Sequence, residues 1–191
     1  MDVIKGHEFC FRTKKPPYHP SDILKFTHIY IFHNKNNWKY VVNVEEYKHD
    51  VFIMKFFKQN HADSKFRYSI LTNEYDARKI IQTCVNIGLH VLQQFPKASF
   101  GFLGMPTMKE LKREDKIFNT KRYRVYEKYA TFFFKEENFE HNFDINTSAY
   151  FMLNKKQLED NKHIKKTILQ MFTNHFIISD FFRELLDIEV N

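Results

Sequence analysis

From residue 74 to residue 95 the apolar and small side chains Ala77, Ile80, Ile81, Cys84, Gly88, Val91, Leu92 and Phe95 recur at intervals of three and four. That period gathers them on one stripe of an α-helix, and a helix of this length must bury its stripe against another layer. Thr72 or Asn73 stands where a side chain can cap the helix by accepting an orphan backbone N–H, and Pro96 marks its end. Gly88, on the apolar face, predicts close packing against a sheet.

On both sides of this helix the pattern is that of strands. Residues 26–33 and 38–45 are rich in β-branched and aromatic side chains around the polar turn Asn34, Lys35, Asn36, Asn37, which predicts a hairpin. Residues 50–58 are apolar on both alternating faces, as in a strand covered on both sides, and 66–71 reads as a fourth strand. Residues 98–103 predict a buried strand, and 139–145 with 148–154 a second hairpin. Residues 119–131 and 162–176 read as further helices, with Ser179 or Asp180 capping a last short one. The prolines in 14–20 make a loop, so residues 1–20 are expected to be irregular; 104–118 is a charged loop, part of it a short helix. The expected fold class is α/β (α+β): one domain over 1–191, a mixed, largely antiparallel sheet with flanking helices.

At 191 residues the chain is long enough for a core without metal or disulfide support, and its 22 phenylalanines make that core aromatic. Cys10 and Cys84 are far apart and lack metal-ligand spacing. No stretch of about 18 apolar residues occurs, and the N-terminus lacks the apolar centre of a secretory signal. A cytoplasmic protein without a membrane span is expected. The formal charge of +7 suits an anionic partner, but the excess of Lys over Arg beside abundant Asn and Phe is also what AT-rich codon usage produces.

One segment carries a motif. In residues 119–132, Asn119 is followed seven positions later by Tyr126 and then by Glu127 and Lys128. This spacing resembles the signature of the GNAT acyltransferase superfamily, in which a strand leads to the Asn and a Gly-Phe pair closes the motif. Ala130 stands for the usual Gly, and Phe132 lies one position late. The order of predicted elements is similar to that superfamily's as well. The resemblance implies acetyl-CoA or another acyl-CoA as acyl donor, with Asn119 contacting its pantetheine arm and Tyr126 protonating the departing thiolate. A phenol with a pKa near 10 is a sensible donor for that step.

The superfamily also holds the donor's pyrophosphate on an Arg/Gln-x-x-Gly-x-Gly/Ala loop before the long helix, through backbone N–H groups. Here the corresponding residues, Leu71, Thr72, Asn73, Glu74, Tyr75, Asp76, Ala77 and Arg78, contain no glycine and two carboxylates that repel a pyrophosphate. The cofactor site is therefore expected to be atypical, or lost. Without a cofactor, Asn119 reads as a helix N-cap, and Tyr123, Tyr126 and Phe133 as an apolar helix face.

The alternative to an enzyme is an interaction module. Lys121, Arg122, Arg124 and Lys128, preceded by Lys109, Lys112, Arg113 and Lys116, concentrate positive charge over 109–128, a candidate surface for nucleic acid or a protein partner. Glu110, Glu114, Asp115 and Glu127 dilute it toward an ordinary solvated face. Glu46-Tyr47-Lys48 with upstream Asp22 is a short match to a nuclease-type Mg²⁺ site, against a solvated turn. The ten histidines show no paired ligand spacing, so no metal is indicated; His141 is the one to watch as a base.

Overall fold

Sheet pairing begins before the prolines. The computed structural model describes residues 5–21, 23–70, 75–107, 110, 119–144, 148–161 and 163–172. Within the stretch expected to be irregular, Phe9–Lys15 forms edge strand β1, antiparallel to β2 (Leu24–His33) with a bulge between Phe11 and Thr13. Glu46, buried on β3 (Lys39–Tyr47), staples the edge: its carboxylate lies 3.0 Å from Lys14 Nζ of β1, 3.0 Å from Lys25 Nζ and 2.7 Å from His28 Nε2 of β2. Burial alone would raise the Glu46 carboxyl, but hydrogen bonds from His28, Lys25 and Lys14 prevail and hold it down at about 2.

The first hairpin forms as expected. Asn34 Oδ1 accepts from the N–H groups of Asn36 at 3.0 Å and Trp38 at 2.9 Å, while Asn37 takes the left-handed backbone (φ 60°) that asparagine tolerates. Strand β4 (Val51–Lys58) continues the antiparallel run. Residues 66–70, read as a strand, instead form turns, with Ser69 N–H donating to Phe66 O at 2.7 Å; Leu71 lies outside the described residues. The turns deliver Tyr68 to Phe57, at 5.5 Å between ring centroids, and its hydroxyl to Asn43 Nδ2 at 3.0 Å.

Helix α1 (Ala77–Gln94) then crosses the sheet to β5 (Ser99–Leu103), which pairs parallel with β4. Asp76 occupies the N-cap position; Thr72, Asn73 and Glu74 lie outside the described residues. Helix α2 (Lys121–Phe133) leads to the hairpin β6 (Phe139–Asp144) and β7 (Ala149–Asn154). The seven strands are ordered β1-β2-β3-β4-β5-β7-β6, and β4/β5 is the parallel pair among the described residues. This is a mixed, mostly antiparallel sheet with flanking helices, as the patterning predicts.

Two short helices follow, α3 (Lys155–Asp160) and α4 (Ile164–Phe172); the remainder of the predicted 162–176 helix, with Ser179 and Asp180, lies outside the described residues. Helix α3 has no apolar period to announce it. Asn154 starts it by accepting from Lys156 N–H at 3.1 Å, while its own amide donates to Pro96 O and Ala98 O. One core lies between the sheet and α1/α2, centred on Phe52, Ile87, Phe100 and Tyr150; another lies under α4 on the opposite face, around Val51, Ile53, Leu153 and Ile168. Cys10 and Cys84 are free thiols. Among the described residues no helix is long and apolar enough to cross a membrane.

Candidate functional site

Strands β4 and β5 pair only at Val51/Ser99, Phe52/Phe100 and Ile53/Gly101, and beyond that point the ladder stops although both strands continue. An apolar cavity of about 90 Å³ opens there, walled by Met54 and Phe56 of β4, Phe102 of β5, and residues of α1 and α2. Gly88 of α1 forms part of the wall: a Cβ there would meet Phe134 Cζ at 3.3 Å and Met54 Cε at 3.8 Å, so the missing side chain keeps the space open.

Tyr126 projects from α2 into this cavity, its ring 5.4 Å from Phe102 in a T-shaped contact and 6.3 Å from Phe56. Burial pushes its phenol up to about 12, against the smaller opposing pull of the Arg122 guanidinium. At neutral pH the hydroxyl is therefore a proton donor and not a base. Tyr129, one turn on, also lines the cavity; burial raises its phenol against the opposing charge of Arg78 from the first turn of α1. Cys84 is the thiol of the wall, and burial holds it protonated far above its ordinary range, which disqualifies it as a nucleophile.

The N-terminus of α2 corrects one expectation. The cap is Thr120, whose Oγ1 accepts from Tyr123 N–H at 3.0 Å and donates to Gly104 O at 2.5 Å. Asn119 sits one residue earlier in the left-handed region (φ 49°), exposed, its carbonyl accepting from Arg124 Nη1 at 2.6 Å. It therefore stands outside the helix, seven residues before Tyr126. Asn119 does not line the cavity. Glu110 braces this helix start, accepting from Thr107 N–H at 2.9 Å with one carboxylate oxygen and from Lys121 N–H at 3.1 Å with the other.

The four cations of α2 do not act together. Arg122 is committed to structure: its guanidinium donates to Tyr68 O and, at 3.1 Å, to Ile70 O, pinning the 59–70 turn to α2. Lys121, Arg124 and Lys128, three and four apart, share the exposed face. The basic residues at 109, 112, 113 and 116 lie outside the described residues.

At the start of α1 the buried Asp76 carboxylate lies 2.9 Å from His7 Nε2. The His7 ring stacks on Phe32 at 5.7 Å, and its backbone N–H donates to Thr83 Oγ1 at 2.8 Å. Gly6 passes so close to α1 that a Cβ would meet Thr83 N at 3.0 Å. The chain thus lays its own N-terminal arm along α1 and sets a carboxylate at the helix entrance. Sequence reasoning missed this pair, whose partners are 69 residues apart.

The remaining candidates resolve differently. Both Glu46 oxygens are taken by Lys25, Lys14 and His28, so the short nuclease-like match marks a buried ion cluster, neither a metal site nor a solvated turn; Asp22 is outside the described residues. Among the described residues no cluster of His, Cys, Asp and Glu could hold a metal ion. His141 Nδ1 lies 2.9 Å from Tyr150 OH, apart from the cavity lining. Comparison of the chain with protein-family models, curated proteins and solved structures gives no match.

Proposed function

We propose that this chain is a GNAT-like acyltransferase whose acyl donor is a short-chain thioester such as acetyl-CoA, with Tyr126 as the acid that protonates the departing sulfur. The observation that carries the reading is the position of Tyr126: the tyrosine of the motif, held as a neutral phenol, faces an apolar cavity where β4 and β5 part. The element order supports it too, with antiparallel strands, a long helix, a strand, the motif helix and a closing hairpin.

The chemistry that Tyr126 serves is balanced. An acceptor amine attacks the thioester carbonyl carbon, the C–N bond forms and the C–S bond breaks; the amine gives up its proton to solvent and the Tyr126 hydroxyl gives its proton to sulfur. Apolar walls favour an acyl group and exclude water from the thioester. The cavity is smaller than the roughly 150 Å³ void that takes up benzene, which limits the acyl group to a short one. Residues at the thioester end fit the donor; those at the entrance of α1 do not fit its pyrophosphate, because Asp76 places negative charge there.

Millimolar acetyl-CoA or S-acetyl-pantetheine should raise the melting temperature of the wild type by mass action, and should not raise that of Gly88→Leu, which fills the cavity. Absence of any shift in the wild type rejects the reading.

A second reading rests on a separate observation. Lys121, Arg124 and Lys128 share an exposed face of α2, a surface that fits a non-catalytic module binding nucleic acid or a protein partner. In that case affinity falls with salt, and reversing Arg124 and Lys128 weakens binding while Tyr126→Phe leaves it unchanged.

A further inference from the structure

Resting on the acyl-thioester reading, we infer that the donor's pantetheine arm is delivered on an acidic carrier protein, which docks on the exposed flank of α2 beside the cavity, and not as a free coenzyme held by its diphosphate. Two independent observations meet here.

The first is the entrance of α1. A free coenzyme brings a diphosphate, and the described residues at this helix start supply Asp76, paired with His7, and no glycine nest to receive it. A carrier-bound arm ends instead in one phosphodiester on a serine, so it needs a single cation at the mouth. Arg78, exposed in the first turn of α1 and three residues before the cavity-lining Ile81, is such a cation, and it forms no ion pair among the described residues.

The second is the surface next to that mouth. On the helix, Val125 and Phe132 stand four residues before and three residues after Tyr129, so they adjoin the cavity wall directly. They are 41% and 38% exposed. Lys128 and Arg124 border them on the solvent side, with Glu127 next to Arg124 on the side away from Val125 and Phe132. Two apolar side chains bordered by cations on their solvent side complement an acidic helix with an apolar ridge. Nucleic acid fits less well, since the centre of the patch is apolar and Arg122 is spent on Tyr68 O and Ile70 O.

The test compares three probes against the full chain in 50 mM salt: S-acetyl-pantetheine, acetyl-CoA, and a purified bacterial acyl carrier protein loaded with an acetyl-pantetheine arm. The loaded carrier should bind at least about tenfold more tightly than either small thioester, and Lys128→Glu with Arg124→Glu should remove about that factor. Lys166→Glu, exposed on α4, should leave it unchanged. Raising salt should weaken the carrier and spare S-acetyl-pantetheine. Acetyl-CoA binding about tenfold more tightly than S-acetyl-pantetheine overturns the inference, because the diphosphate is then held. So does a single-stranded oligonucleotide that binds the same face in place of the carrier. If S-acetyl-pantetheine binds and the carrier gains nothing over it, only the carrier fails; if none of the three binds, the acyltransferase reading fails with it.

Discussion

His7 Nε2 lies 2.9 Å from Asp76 Oδ2 at the entrance of α1, so the residue that opens this helix is paired from within the chain. The side chain of Asp76 makes no capping hydrogen bond to the helix backbone. Its negative charge still favours the positive end of the helix dipole. Asp76→Asn and His7→Ala should each lower stability by about 1–3 kcal/mol in urea denaturation, by leaving a buried polar partner unsatisfied. A neutral result for both would mean that the arm is not fastened here.

Tyr126→Phe removes a hydroxyl and little else, since its ring contacts with Phe102 and Phe56 remain. Turnover of an acetyl thioester should fall by about 10²-fold or more with KM nearly unchanged. Because the phenol is pushed up to about 12, this acid stays protonated across the usual assay range, and wild-type turnover should show no alkaline loss from it below pH 10. An alkaline limb near pH 8 that disappears in the variant would contradict that assignment.

Glu46 makes stability pH-dependent in a defined window. A carboxyl held at about 2 when folded, against an ordinary value of about 4.5, binds its proton more readily in the unfolded chain. Its contribution is full above pH 4.5 and is lost as pH falls from there through 2. Glu46→Gln should cost about 3 kcal/mol at pH 7, by leaving Lys14, Lys25 and His28 without their carboxylate, and much less at pH 2. Equal losses at both pH values would show that packing, not charge, is at stake.

Gly104 sets the approach of β5 to α2. A Cβ there would stand 2.5 Å from Tyr123 Cβ and 2.7 Å from Tyr123 Cα, and the Gly104 carbonyl accepts from the Thr120 hydroxyl. Gly104→Ala should therefore destabilise by about 2–3 kcal/mol, read as a lower denaturation midpoint at unchanged slope. Full stability in this variant would mean that α2 is free to shift.

Much of the fold was legible because it obeys a period. The three- and four-residue spacing in 77–95 became α1, and the runs rich in β-branched, aromatic and apolar residues became β2 to β4 and the β6/β7 hairpin. Strand β1 was missed because, as a sheet edge, its exposed Cys10, Phe11 and Arg12 give no alternation, and what secures it is a glutamate on β3. Residues 66–70 misled because Tyr68 and Ile70 look like strand residues while their carbonyls are claimed by Arg122. Motif spacing singles out Tyr126, and the structure places it in the lining of the cavity. Tyr129 beside the cavity and the His7–Asp76 pair were not legible, since only the crossing of α1, α2 and the N-terminal arm brings these residues together.

The central claim, that the cavity between β4, β5 and α2 receives an acyl thioester, can be read through methionine methyl groups. Met54 and Met152 line the cavity, whereas Met171 packs against the core on the opposite face of the sheet. In ¹³C-methyl-methionine NMR, S-acetyl-pantetheine titrated to millimolar concentration should shift the Met54 and Met152 signals along a saturating curve and leave Met171 in place. In Gly88→Leu those shifts should vanish. No movement of Met54 and Met152 in the wild type, or equal movement of Met171, would contradict the account.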